Sequence, residues 1–129
     1  MYLKRISRNV QGMKKVLVVD DNAVNRKLAM ALLQRRGMHV KEAESCALAL
    51  DMLAVETFDA VLLDSSMPVM DGKAVCQTIR CTPALASLYV VAYTAHAMAS
   101  EREAIMAAGF DDLLVKPISA QDLLRVLPD

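Results

Sequence analysis

The chain has 129 residues, 55% of them hydrophobic, which is one domain's length with enough apolar content to bury a full core. No apolar run of about 18 residues and no secretory h-region are visible, so no membrane span is expected, and three cysteines (Cys46, Cys76, Cys81) without CxxC spacing fit a reducing, cytoplasmic setting better than a disulfide frame or a zinc site. Net charge zero conceals an asymmetry: residues 1–15 carry +5 (Lys4, Arg5, Arg8, Lys14, Lys15) and the rest −5, so the acidic domain argues against nucleic acid as a direct partner, while residues 1–14 read as a basic leader, either a linker or a nucleic-acid or membrane arm.

In chain order, the apolar run at 16–20 reads as a first strand closed by Asp20-Asp21. Asn22 can cap a helix over 23–36 that stops at Gly37. A short strand follows at 38–43, then Ser45 caps a helix over 46–55. Ala60-Val61-Leu62-Leu63 is a third strand, running into Asp64 and the break Ser65-Ser66-Met67-Pro68. Asp71-Gly72 turns into a helix reaching about Arg80, with Pro83 beyond it. Residues 88–93 form a fourth strand. Ser100 and Glu103 have capping-box spacing for a helix ended by Gly109. Residues 112–115 are a fifth strand, leading to Lys116-Pro117, and Ser119 caps a last helix to about Leu127. Five strands alternating with five helices predict a doubly wound parallel sheet.

Such sheets place their chemistry at the carboxyl ends of strands. Here three strand ends deliver Asp20, Asp21, Asp64 and Lys116. Bare carboxylates in one cleft would repel. A hard divalent cation, Mg²⁺ or Mn²⁺, removes that cost through oxygen ligands. An acidic pocket with a metal and a lysine suits a phosphoryl group, and a carboxylate can itself be the nucleophile. Thr94, ending the fourth strand, could hydrogen-bond a phosphoryl oxygen. Each residue also has a plainer reading: Asp21 as a helix-start carboxylate, Asp64 as a turn residue, Lys116 as a solvated loop lysine, Thr94 as a strand end.

The stretches VLVVDDN (16–22), LLDSSMPVMDG (62–72), VVAYTAHAM (90–98) and GFDDLLVKPI (109–118) together resemble the receiver domains of two-component response regulators, over about residues 15–127. Asn22, Asn25-Arg26 and the stretch from Thr94 to Met98 look most like receivers of hybrid sensor histidine kinases and phosphorelays. The resemblance implies a flavodoxin-like, receiver-type sheet in a domain over 15–129. It implies that Asp64 is the phosphoacceptor and that Asp20, Asp21, Asp64 and the backbone carbonyl of Ser66 hold Mg²⁺ or Mn²⁺. Thr94 would be the switch hydroxyl and Lys116 the phosphoryl contact, with a cis Lys116–Pro117 bond. It also implies a signalling domain rather than an enzyme, phosphorylated by a histidine kinase or a histidine-containing phosphotransfer protein, with no membrane contact of its own. An aspartate-nucleophile phosphatase would usually carry a second acid where Ser66 stands. A degenerate receiver serving only as a binding module would have lost part of a pocket that this sequence retains.

One departure is Leu113, where receivers usually carry Tyr or Phe. Tyr93 adjoins Thr94, but strand alternation points it to the opposite face, so it is not expected to substitute. His96 reads as a rim histidine, and Met67, Met70 and Met98 as packing residues near the site. On a wheel of about 100° per residue, Val24, Leu28, Ala31 and Leu32 form the expected core face of the first helix. Asn22, Asn25, Arg26, Ala29 and Leu33 then form an expected docking face for the partner, unless Ala29 and Leu33 are the edge of the core.

Overall fold

The structure, a computed structural model, describes residues 15–64, 72–95, 98–116 and 118–127. The elements are β1 (Lys15–Val19), α1 (Ala23–Gln34), β2 (His39–Ala43), α2 (Cys46–Val55), β3 (Ala60–Asp64), α3 (Gly72–Cys81), β4 (Tyr89–Thr94), α4 (Ala99–Ala107), β5 (Asp112–Val115) and α5 (Ala120–Val126). The leader, Ser66, Met67, Met70, Asp71, His96 and Pro117 lie outside the described residues.

All pairings are parallel, in the order β2-β1-β3-β4-β5. The order reverses between β1 and β3, which opens a crevice at their carboxyl ends. β1, β3 and β4 are central and buried on both faces, which is why they read as near-continuous apolar runs. β2 is an edge strand with His39 and Lys41 exposed, polar residues that discourage edge-to-edge pairing.

Alternation sorts the strand side chains into two layers. Leu17, Val19, Val61, Leu63, Val90 and Ala92 pack with residues of α2, α3 and α4. Val16, Val18, Leu62, Tyr89, Val91, Tyr93 and Leu114 pack with α1 and α5. The aromatics are segregated: Tyr89 and Tyr93 lie in the α1/α5 layer, Phe110 and the partly buried Phe58 in the other.

Three expected caps form. Asn25 N–H donates to Asn22 Oδ1 (3.0 Å), Leu48 N–H to Ser45 Oγ (3.1 Å) and Asp122 N–H to Ser119 Oγ (3.1 Å). Gly37 and Gly109 end their helices at φ +81° and +106°, where an L side chain is strained. The Ser100 capping box does not form: α4 begins two residues earlier than that cap would start it, at Ala99, with Met98 as its N-cap and no side-chain cap bond. Arg102 N–H already bonds Met98 O (2.9 Å), so Ser100 lies inside the first turn.

The expected faces of α1 largely trade places, although Leu32 of the expected core face is partly buried and packs against the core. Ala29 and Leu33 are fully buried, whereas Val24 is 78% exposed and Leu28 40%. The core stripe is Arg26-Ala29-Met30-Leu33, at i, i+3, i+4, i+7. Arg26 hides that stripe in the sequence. Its side chain is only 12% exposed because Nε donates to Glu42 Oε1 (2.6 Å) and Nη1 to the carbonyl of Asp20 (2.8 Å). Ala29 and Leu33 therefore belong to the core and Arg26 to an internal tie, and only the exposed Asn22 and half-buried Asn25 of the expected docking set keep surface at the helix start.

Candidate functional site

The loop after β1 carries the first two carboxylates. Asp20 is completely buried, with its N–H on Ala43 O (3.1 Å), while Asp21 is exposed at the rim. Asp64 ends β3 and is 4% exposed. One carboxylate oxygen from each of the three lies within 4.8 Å of the others, a spacing one cation can span.

Parity explains the convergence. Val16 and Val18 face the α1/α5 layer, so Asp20 follows them; Leu62 places Asp64, and Leu114 places Lys116, on the same side. Lys116 Nζ stands 3.2 Å from Asp64 Oδ2 and 3.3 Å from Asp20 Oδ2. Its backbone N–H bonds Thr94 O (2.8 Å), which fixes the end of β5 to that of β4. Thr94 is 2% exposed and of opposite parity, aligned with Val90 and Ala92. Leu113 is buried on that other side as well. Met98 is 72% exposed, not packed.

Tyr93 corrects the sequence reading. Alternation does set it opposite Thr94, but Asp20, Asp64 and Lys116 are on its side. It is the register partner of Asp64. Its hydroxyl donates to Asp20 Oδ2 at 2.6 Å, and Lys116 Nζ lies 4.7 Å from its ring centroid. Burial, then the hydrogen bond to Asp20 and the charges of Asp20 and Asp64, push the phenol far above its ordinary pKa, so it remains a donor. The signal that could have found it is the parity shared by Val16, Val18 and Asp20 on β1 and by Tyr89, Val91 and Tyr93 on β4.

The other acids with displaced pKa values serve the edge strand. Glu42 is held below its usual range by Arg26 and Lys27, and Glu56 by Lys15 and Lys41. A groove of about 500 Å³ lined by Leu53, Val55, Phe58 and Leu88 opens near the amino ends of β3 and β4. Glu56 is its lone ionisable lining residue, so it does not compete with the acidic cluster as a chemical site.

Residues 16–127 match the family described as "Response regulator receiver domain". The chain is 42% identical over 116 residues to the sensor protein GacS of Pseudomonas syringae, covering 88% of this chain and 13% of that protein. It is 40% identical over 112 residues to the signal transduction histidine-protein kinase BarA of Escherichia coli, covering 87% and 12%. It thus spans about one eighth of these relatives' length. Among solved structures, the receiver domain of sensor histidine kinase PA1611 from Pseudomonas aeruginosa, with a magnesium ion coordinated in its active-site cleft, superposes with TM-score 0.82 at 30% identity, covering 89% of this chain and 94% of that one. Chemotaxis response regulator CheY4 of Vibrio cholerae superposes with TM-score 0.84 at 29% identity, covering 90% and 97%.

Proposed function

Because this chain belongs to the response regulator receiver domains, we propose that it accepts a phosphoryl group from a phosphohistidine onto Asp64, in a transfer that needs Mg²⁺ or Mn²⁺. Receiver domains are signalling modules, so the product is a signal and not a released metabolite. The observation that carries the reading is the meeting of three carboxylates within 4.8 Å, with Lys116 Nζ 3.2 Å from Asp64.

The residues present fit a divalent cation. Asp20, Asp21 and Asp64 supply hard oxygen ligands in a half-open cleft, with the Ser66 carbonyl as a further candidate outside the described residues. A bound cation would neutralise negative charge on the phosphoryl oxygens. A carboxylate oxygen of Asp64 attacks phosphorus; the P–N bond breaks and its electron pair returns to the imidazole, leaving an aspartyl phosphate. Lys116 would pair with a phosphoryl oxygen, and Thr94, once drawn toward the cleft, would donate its hydroxyl to another. Bringing Thr94 across from the opposite face would couple phosphorylation to the α4 side of the domain, which carries the conformational signal. Hydrolysis of the acyl phosphate by water would reset it.

The similarity to GacS and BarA supports a hybrid sensor kinase or phosphorelay as the parent protein, and a cytoplasmic setting is proposed because three cysteines without CxxC spacing suit a reducing compartment. The partner is then a helical histidine-containing phosphotransfer protein or the kinase's own helical domain. Its seat moves to the outer face of α1, where Val24 and Leu28 are exposed beside Asp21, Asn22 and Asn25. No helix among the described residues is long and apolar enough to cross a membrane. The test is incubation with acetyl phosphate and MgCl₂, followed by mass spectrometry. Wild type should gain one phosphoryl group and Asp64→Asn none; equal labelling of the two would remove Asp64 as acceptor.

A further inference from the structure

The acidic cleft contains a phenol that the transfer chemistry leaves unused. Two tyrosines stand four residues apart on the same face of β4. Tyr89 donates to the carbonyl of Val126 (2.9 Å), an ordinary way to satisfy a buried hydroxyl. Tyr93 instead donates to a carboxylate of the site.

Asp20 is crowded with donors as a result. Oδ1 accepts the Asn22 N–H (2.8 Å); Oδ2 accepts the Tyr93 hydroxyl (2.6 Å) and faces Lys116 Nζ (3.3 Å). A carboxylate offers about four lone-pair sites, and here three protein groups already compensate its charge. Asp20 therefore meets an entering cation largely neutralised, unlike Asp21 at the exposed rim. The ring of Tyr93 has a second contact. Lys116 carries its charge on a flexible four-carbon stem. Its Nζ rests 4.7 Å from the ring centroid, within cation–π range, and that seat keeps the ammonium against Asp64.

Resting on the reading of this cleft as a divalent-cation and phosphoryl site, we propose that Tyr93 is a positioning residue with two separable parts: its hydroxyl restrains Asp20 and weakens cation binding, and its ring seats Lys116 for phosphoryl transfer. The aromatic side chain missing at Leu113 is not replaced in kind. Tyr93 acts inside the pocket, from β4, on the ligands themselves.

Tyr93→Phe keeps the ring and removes the hydroxyl; Tyr93→Leu removes both. MgCl₂ titration of the 129-residue chain, followed by the backbone amide resonance of Asn22, reads cation binding directly, because that amide bonds Asp20. The initial labelling rate with acetyl phosphate at saturating Mg²⁺ reads the seat of Lys116. Tyr93→Phe should bind Mg²⁺ about threefold or more tightly, since Asp20 loses a donor that competes for its charge. Its saturated rate should stay within about twofold of wild type, the cation–π seat being intact. Tyr93→Leu should share the tighter binding and lose about tenfold in saturated rate, between the losses expected for an exposed and for a fully desolvated cation–π contact. A tyrosine that served only the fold would lower stability in both variants and leave affinity and saturated rate unmoved. Unchanged or weaker Mg²⁺ binding in Tyr93→Phe, with a normal wild-type response, overturns the restraint. Equal saturated rates in the two variants overturn the seat. No Mg²⁺ response in any form overturns this inference and the cation reading together, whereas labelling of Asp64→Asn overturns the acceptor reading alone.

Discussion

Arg26 joins the helix that follows β1 to the loop holding Asp20 and Asp21, and Arg26→Met isolates that tie. Methionine keeps most of the apolar stem and a similar helix propensity, so the guanidinium is the main loss. Two contacts disappear. The Nη1 donation to the carbonyl of fully buried Asp20 is a hydrogen bond from a charged group, contributing about 1.5–3 kcal/mol. The pair with Glu42 is less: Glu42 is 35% exposed and keeps Lys27 at 2.9 Å, so about 0.5 kcal/mol is expected after screening. The sum is about 2–3.5 kcal/mol, a sizeable share of the roughly 5–15 kcal/mol of a single domain. Urea unfolding followed by circular dichroism should show the midpoint falling with unchanged slope, and Tm should drop by roughly 6–12 °C. Glu42→Gln, which spares the Asp20 carbonyl, should cost under about 1 kcal/mol. A loss below about 1 kcal/mol for Arg26→Met, or an equal loss for Glu42→Gln, would refute the carbonyl tie as the main contribution.

The corrected face of α1 predicts that Leu33→Ala costs about 3–4 kcal/mol, while Val24→Ala stays within about 0.5 kcal/mol, both by urea unfolding; similar values would contradict the burial pattern. Mg²⁺ should raise Tm by binding the folded cleft, where the three carboxylates converge, and Asp21→Ala should lose most of that shift; an unaltered response would take Asp21 out of the ligand set. Glu42 and Glu56 titrate below 4.5 in the folded chain, so their contribution is fully present above that unfolded value and fades as pH falls through their lowered pKa values. Stability from these two groups should thus be level near neutrality and decline below pH 4.5, a decline blunted in Glu42→Gln/Glu56→Gln; a double variant with the wild-type acid profile would show that the pairs are inert.

Much of this architecture is local information. Ser45, Ser119, Gly37 and Gly109 mark helix ends through hydrogen bonds and φ values that depend on a few neighbouring residues, and the three central strands advertise burial on both faces. What failed to show depends on relations between distant segments. α1 is apolar nearly all round, and its inner stripe includes an arginine whose partners come from the loop after β1 and from β2. Hydrophobicity alone therefore selected the wrong face. The place of Tyr93 depends on which parity of β4 matches that of β1 and β3. The alternation within its own strand is legible, but the parity linking it to Asp20 depends on the register of β4 against β3 and β1, which no single strand carries. Ser100 had the right spacing for a cap, yet Met98 began the helix, and Ser100 lies within its first turn.

The segregation of the aromatic residues has a spectroscopic consequence. The chain has no tryptophan, and its two described phenylalanines and two described tyrosines occupy opposite sides of the sheet. In a Tyr2→Leu background, tyrosine emission comes solely from the layer under α1 and α5, and half of its emitters touch the acidic cleft. Phe58 and Phe110 give the α2–α4 layer its own near-ultraviolet fine structure. Melting recorded in the two bands therefore resolves the layers without any attached dye. Coincident curves indicate that the sheet binds both layers into one cooperative unit, and a phenylalanine transition preceding the tyrosine one indicates that the α2–α4 side loosens first.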